Sequence, residues 1–304
     1  MDLFQLETLL AVAEEHSFSR AAARLHRTQP AVSQVIAKLE AELGETLLER
    51  STGSLTDAGE VLRDYAQKML NLRKDATSAL VDLRSLHTGR LDLAANEYTC
   101  LYLLPVLDAF RRANPGIKVA VQRALASRIA DEVLSHSVEL GVVSFRPEDP
   151  QLLSTVVYRD ELVCIVSPGH PLAKARTATI ARLGRELFVA HNIPSPSRQK
   201  VIAAFQRHKT PLQMEVELPS LEAIKRFVQR GNGIALVPGL TVENELASGT
   251  LVAVSVPELQ VERKLRLIYR RQAAHSHAAR EFLRIVEAHA AQHGDPFCFR
   301  RENT

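Results

Sequence analysis

Between Asp57 and His87 the chain runs without a proline and, after Gly59, without a glycine until Gly89. Within that run Leu62, Tyr65, Met69, Leu72, Ala76, Ala79, Leu83 and Leu86 alternate spacings of three and four, the heptad seam of one long helix. Over about 25 residues at 1.5 Å rise each, such a seam is roughly 36 Å long. Its outward positions are charged or polar, among them Arg63, Lys68, Arg73, Lys74 and Asp82. A helix cannot bury such a stripe on itself. The stripe packs either on the rest of the chain or on a second copy, and a dimerising linker is the favoured reading. The helix also partitions the chain into a helical head at 1–59, a linker at 60–88 and a remainder at 89–304.

In the head, Leu3, Leu6, Leu9, Leu10 and Ala13 fall at helical spacing. Ser17 or Ser19 is placed to cap the next helix, in which Ala21, Ala22 and Ala23 are small enough to let another helix cross closely. A third helix opens at Thr28-Gln29-Pro30, where proline is tolerated because first-turn N–H groups lack intrahelical partners. Val32, Val35, Ile36 and Leu39 form its core stripe, and Gln29, Ser33, Gln34 and Lys38 its opposite face. From His16 to Leu39 there is no Asp or Glu, whereas Arg20, Arg24, Arg27 and Lys38 are present. Cations set along duplex DNA release condensed counterions, so this face is read as a DNA-binding one. A helical hairpin followed by a helix with polar ends on its outer face suits the major groove.

The continuation carries Gly44, Leu47-Leu48-Glu49-Arg50 and Leu55-Thr56-Asp57-Ala58-Gly59. The blocks A-A-x-x-L, T-Q-P-A-V-S, L-E-x-E-L-G, E-R and L-T-x-A-G stand in that order, and on them the chain resembles the LysR-type transcriptional regulators. The resemblance implies an N-terminal all-α winged helix-turn-helix with a long linker helix. It further implies a C-terminal α/β, two-lobed, periplasmic-binding-protein-like effector domain. By position, Thr28, Gln29, Pro30, Ser33, Gln34 and Lys38 match the family's recognition helix, and Arg50 the wing arginine that reaches backbone or minor groove. Arg20 and Arg27 complete the expected DNA-binding set. Only Ser51-Thr52-Gly53-Ser54 separates Arg50 from Leu55, so a shortened wing is expected. The implied partners are double-stranded promoter DNA, a second copy in a homodimer or homotetramer, and RNA polymerase.

From Gly89 the pattern changes to alternating strands and helices, the mark of an α/β architecture. Strands are expected at 91–95, 117–123, 138–143 and 162–166, then near 187–190, 214–218, 234–237, 251–255 and 264–269. Helices fall at 101–114, 127–135, 197–208, 220–230, 240–247 and 276–292, and the segment 294–304 is expected to be mobile. Two such blocks joined twice make lobes at about 89–161 plus 265–293 and at about 162–264. Small ligands bind in clefts at the carboxyl ends of strands. Loops in that position supply Tyr98, Thr99 and Cys100; Ser127 and Arg128; Ser144 and Phe145; His191, Ser195, Ser197 and Arg198; and Leu221 on the far side. Hydroxyls, helix N-termini, Arg128 and Arg198 favour an anionic effector. Gly89-Arg90-Leu91-Asp92-Leu93, Leu103-Leu104-Pro105 and Val228-x-x-Gly231-x-Gly233-Ile234 resemble the family's effector domain. Ser137 and Glu139 stand where that pattern usually has Gly and Asp.

Other chemistries are weaker. Net charge is only +3, and the three cysteines, Cys100, Cys164 and Cys298, lack zinc-type spacing. Gly231-Asn232-Gly233 precedes a strand and lacks the third glycine of a dinucleotide fingerprint. The pairs His275/His277 and His289/His293 have chelating spacing, but they sit on a polar helix and read as solvated; no metal and no cofactor are expected. The N-terminus shows no secretory pattern and no apolar run approaches roughly 20 residues, so a cytoplasmic protein without membrane contact is expected. The alternative to a regulator is a small-molecule-binding protein or enzyme with an appended helical domain. Ser195 and Ser197 lack a pattern tying them to His191 and an acid, so no catalytic set is assigned and the chain is read as not an enzyme.

Overall fold

The computed structural model describes residues 1–84, 89–259, 261–271 and 275–302. The chain divides into two compact units, Met1–Gly89 with Leu134–Val138, and Arg90–Val133 with Glu139–Thr304. Among the described residues no helix is long and apolar enough to cross a membrane.

The first unit holds α1 (Leu3–Glu15), α2 (Phe18–Arg24), α3 (Gln29–Leu43) and α4 (Asp57–Arg84). Asp2 and Gln5 form a reciprocal capping box at the start of α1. Ser17 caps α2 through the Arg20 N–H at 3.3 Å. Ala21 and Ala22 are buried, and α1–α3 close around Leu9, Val12, Val32, Ile36 and Leu39. The wing is one antiparallel bridge between Leu48 and Leu55, tightened by the Glu49 N–H on the Ser54 carbonyl at 2.8 Å. Gly53 has φ +67° and a Cβ there would lie 2.9 Å from the backbone of His16 and Ser17, so only glycine lets the wing settle on the α1–α2 turn. Gly59 meets a comparable limit: a Cβ would lie 2.1 Å from the Leu47 carbonyl oxygen.

The expected seam of α4 separates into two faces. Leu62, Ala66 and Leu70 pack on Leu6 and Leu10 of α1. Val61, Tyr65, Met69, Leu72 and Leu80 are exposed. The Ala79 and Leu83 side chains and Leu86 lie outside the described residues.

The second unit begins with β1 (Gly89–Ala95), α5 (Glu97–Ala113), β2 (Ile117–Arg123), α6 (Ile129–Leu134) and β3 (Leu140–Val143). It continues through β4 (Leu152–Val166), α7 (Pro171–Ala175), α8 (Ile180–Leu183), β5 (Leu187–His191), α9 (Pro196–Arg207), β6 (Gln213–Leu218) and α10 (Leu221–Gln229). It ends with β7 (Ala235–Pro238), α11 (Glu243–Ala247), β8 (Val252–Val254), β9 (Glu262–Arg270), α12 (His277–His293) and β10 (Phe297–Glu302). One sheet runs β10-β4-β9-β3-β1-β2, with β1 and β3 parallel and β9 antiparallel to both β3 and β4. α5 and α12 cover it through Tyr102, Phe110, Phe282 and Ile285. The last five residues of β4 leave this sheet and pair with β7 and β8, around which the second lobe packs Phe188, Phe205, Ile224 and Val228. β4 is thus shared by both lobes, and β9 returns the chain to the first.

Three differences from the sequence reading have physical causes. The expected strand 162–166 is the end of a 15-residue strand. The charged trio Arg159-Asp160-Glu161 conceals its continuity, because Asp160 is buried only through a partner on β9. The segment 294–304, expected to be mobile from the sequence, instead contributes β10, which pairs with β4 and is pinned where Arg266 grips Glu302 at 2.8 and 3.1 Å. The expected helix 240–247 is a 3-10 turn, Gly239–Thr241, followed by the short α11.

Candidate functional site

On the head, α3 starts at Thr28 with no acidic residue in its first turn, so its free N–H groups face no competing carboxylate. Thr28, Gln29, Pro30, Gln34 and Lys38 are exposed along it, and Ser33 is half-buried. Arg27 is exposed, with its guanidinium 5.7 Å from the Phe4 ring. Arg20 is exposed and pairs with Glu15 at 3.6 Å. Arg50 lies against α3: it donates to Ser33 Oγ at 3.3 Å and Glu40 Oε2 at 2.6 Å and covers the Phe18 ring at 5.9 Å. The other oxygen of Glu40 accepts the Leu47 and Leu48 N–H groups at 2.9 and 3.3 Å, so one carboxylate orients both the wing base and its arginine. The result is one face carrying guanidinium, amide, hydroxyl and ammonium ends, a surface fitted to phosphates and base edges.

In the second unit a cavity of about 370 Å³ opens between the lobes. Tyr98, Ser144, His191, Ser195, Ser197 and Arg198 of the expected set line it. The others lie elsewhere. Thr99 is fully buried, closing the capping box with Asn96 and donating to the Val142 carbonyl at 3.1 Å. Cys100 packs on the first lobe's core, and burial pushes its thiol above the ordinary range, which disfavours the reactive thiolate. Arg128 is exposed and pairs with Asp131 at 3.7 Å. Leu221 belongs to the second lobe's core, and its backbone N–H donates to Glu97 at 3.0 Å. Ser127 and Phe145 lie outside the lining.

The most deeply buried arginine of the cleft lining is one the sequence reading does not select. Arg263 on β9 is 7% exposed and forms an ion pair with Asp160 on β4, and its Nε has no hydrogen-bond partner. Burial pulls its pKa down, Asp160 opposing, but a guanidinium remains charged throughout the physiological range. Arg123, exposed at the end of β2, and Arg198 add further cations to the lining. Arg198 donates to the His191 carbonyl at 3.0 Å and to Glu217, which positions the loop before α9. Ser195 caps α9 through the Arg198 N–H at 3.2 Å. Tyr98 stands edge-on to His191 at 5.6 Å, and its phenol is pushed up by burial and then by Glu97. Away from the cleft, His289 and His293 stack at 4.0 Å on α12, and no group of three metal-ligating side chains occurs among the described residues.

Residues 3–60 match the profile of bacterial regulatory helix-turn-helix proteins of the lysR family, and residues 84–291 match that of the LysR substrate binding domain. The chain is 34% identical over 302 residues to a probable RuBisCO transcriptional regulator of Synechocystis sp., covering 96% of this chain and 88% of that one. It is 31% identical over 295 residues to the RuBisCO operon transcriptional regulator of Allochromatium vinosum, covering 96% and 97%. Its fold is similar to full-length CbnR in complex with its target DNA, with TM-score 0.72, 22% identity and coverage of 95% and 99%. It is also similar to the regulatory domain of Synechocystis PCC6803 CcmR in complex with 2-PG, with TM-score 0.62, 26% identity and coverage of 68% and 99%. A helix-turn-helix head with an exposed polar recognition helix, a long linker and a two-lobed domain with an arginine-lined cleft therefore have one explanation: the chain belongs to the LysR family of transcriptional regulators, and is a DNA-binding regulator and not an enzyme.

Proposed function

We propose that a small anionic metabolite bound between the lobes modulates the grip of this regulator on promoter DNA. The observation that carries the proposal is Arg263, a guanidinium that lines the cavity and whose buried Nε has no hydrogen-bond partner, with Arg123 beside the same space. A buried donor without an acceptor is costly, and an anion supplies the missing acceptor. The CcmR complex with 2-PG, a small anionic metabolite, supports the ligand class. The names of the relatives support RuBisCO genes as targets. The exposed stripe Val61, Tyr65, Met69, Leu72 and Leu80 supports dimerisation through α4, whose two-fold symmetry sets one head on each half of a pseudo-palindromic site, and pairing of dimers into a tetramer supplies a second such pair of heads. Ligand entry shifts the lobes and re-spaces the heads, altering DNA bend and polymerase access in the cytoplasm.

The DNA contacts proposed are Thr28, Gln29, Pro30, Ser33, Gln34 and Lys38 on bases and phosphates, with Arg20, Arg27 and Arg50 on the backbone. Fluorescence anisotropy with a duplex from upstream of the RuBisCO operon, titrated over a salt series with and without 2-PG, tests the reading. The expected result is a preference of at least about 10³ over random duplex, and an affinity that 2-PG alters. Equal affinity for both duplexes in every condition would overturn it. Arg50→Ala should lower the salt slope by about 0.9, one phosphate's worth; an unchanged slope removes Arg50 from the phosphate contacts.

A further inference from the structure

We infer that the cleft selects an anion that also carries a hydrogen-bond donor, and that Glu97 is the residue that reads the donor. This rests on the anionic-effector reading above and adds a specificity determinant to it. Glu97 opens α5 on the first lobe, and its Oε1 accepts the Leu221 N–H of α10, on the second lobe, at 3.0 Å. Its Oε2 is buried and makes no hydrogen bond. His191 Nε2 stands 3.7 Å from it, beyond hydrogen-bonding length. His191 Nδ1 accepts the Ile193 N–H at 3.1 Å, which places the ring proton on Nε2 and fixes the imidazole where it stands.

Two unmet demands of opposite kind therefore lie beside the cavity. Arg263 Nε lacks an acceptor and Glu97 Oε2 lacks a donor, and both residues line the same cavity of about 370 Å³. A plain dianion answers only the guanidinium and brings negative charge towards Glu97. An anion bearing a hydroxyl or an ammonium group answers both. Because Glu97 already joins α5 to α10 through its other oxygen, a ligand donor on Oε2 ties the occupied cleft to both lobes at one side chain. Sites built to hydrogen-bond a polar group reject the analogue that lacks it far more strongly than apolar pockets reject a missing methylene.

Isothermal titration of the full-length protein with matched anions tests this. Succinate, L-malate and L-aspartate differ only in hydrogen, hydroxyl or ammonium at one carbon, and 3-phosphooxypropanoate differs from 3-phosphoglycerate only in a hydroxyl. In at least one series the donor-bearing member should bind at least about tenfold tighter than its plain analogue, and the malate and aspartate arms separate hydroxyl from ammonium. Glu97→Gln keeps an oxygen for the Leu221 N–H while turning the unpaired acceptor into a donor, so the preference should fall to about twofold or less. Equal binding of plain and donor-bearing anions by the wild-type protein would overturn the inference and leave the anionic-effector reading standing. Binding of no anion in either series would overturn both. The wild-type comparison decides the matter even if the variant folds poorly.

Discussion

Replacing Arg263 by methionine probes how the crossover between the lobes is held. Arg263 and Asp160 are directly paired in the β4–β9 ladder, and their side chains are 7% and 3% exposed. Asp160 has one further contact, its Oδ1 accepting the Leu240 N–H at 3.3 Å. Methionine fills most of the vacated volume, so the dominant effect is a buried carboxylate left without its cation. Breaking a buried pair in this way costs about 3–5 kcal/mol. For a folding unit of this size, at about 2–4 °C per kcal/mol, the melting point falls by roughly 6–20 °C. Adding Asp160→Asn to Arg263→Met removes the stranded charge and should recover more than half of the loss. Differential scanning calorimetry of the full-length variants measures this, with the transition of residues 1–89 as the internal reference. A loss below about 1 kcal/mol, or a double variant no more stable than the single one, would refute the claim that the pair is desolvated and mutually dependent.

Two further outcomes follow from the packing. Gly59→Ala places a Cβ 2.1 Å from the Leu47 carbonyl, a backbone atom that cannot rotate away, and should destabilise the head by about 1–3 kcal/mol, read from its thermal transition and from loss of DNA affinity. In β10, the hydrogen bond from Arg266 holds the Glu302 carboxyl below its usual range, with Ser154 assisting at 2.9 Å. A depressed folded pKa contributes stability that is complete above the unfolded value near 4.5 and is lost as pH falls through the lower folded value. Glu302→Gln should therefore cost about 1–3 kcal/mol at pH 7, and urea unfolding from pH 6 down to pH 3 should show that difference shrinking; a constant difference would refute it.

Local signals carried most of the head and little of the cleft. The spacing of Leu6, Leu9 and Leu10, Pro30 in a first turn and Gly44 past a last one announce α1 and α3 from neighbouring residues alone. α4 is equally visible as a helix. Its faces were not separable, because Leu62 turns towards α1 whereas Tyr65 and Met69 remain outside, and that choice is made by a partner far away in sequence. In the second unit, loops following strands brought Tyr98, Ser144 and the 191–198 turn to the cavity. Thr99 and Cys100, one and two residues on, are rotated about 100° per step around α5 and face the core. Arg263 and Arg123 carry no local signature: each is a strand-end arginine until β4 is laid beside β9 and β1 beside β2. β10 escaped notice because Phe297-Cys298-Phe299-Arg300-Arg301-Glu302 is short and follows Gly294 and Pro296, and only the edge of β4 gives it a role.

The pairing of Asp160 with Arg263 and of Glu161 with Glu262 sets the exit and return of the chain on adjacent strands, about 4.8 Å apart. Residues 162–261 are thus an insertion spliced into one ladder, joined to its host by two neighbouring backbone crossings. Such a module can be exchanged as a cassette between homologues: the wall carrying His191 and Arg198 would change ligand preference, while the host sheet, α5 and the route to the promoter stayed untouched. Domain grafting at 161/162 and 261/262 is the recombination that this geometry invites.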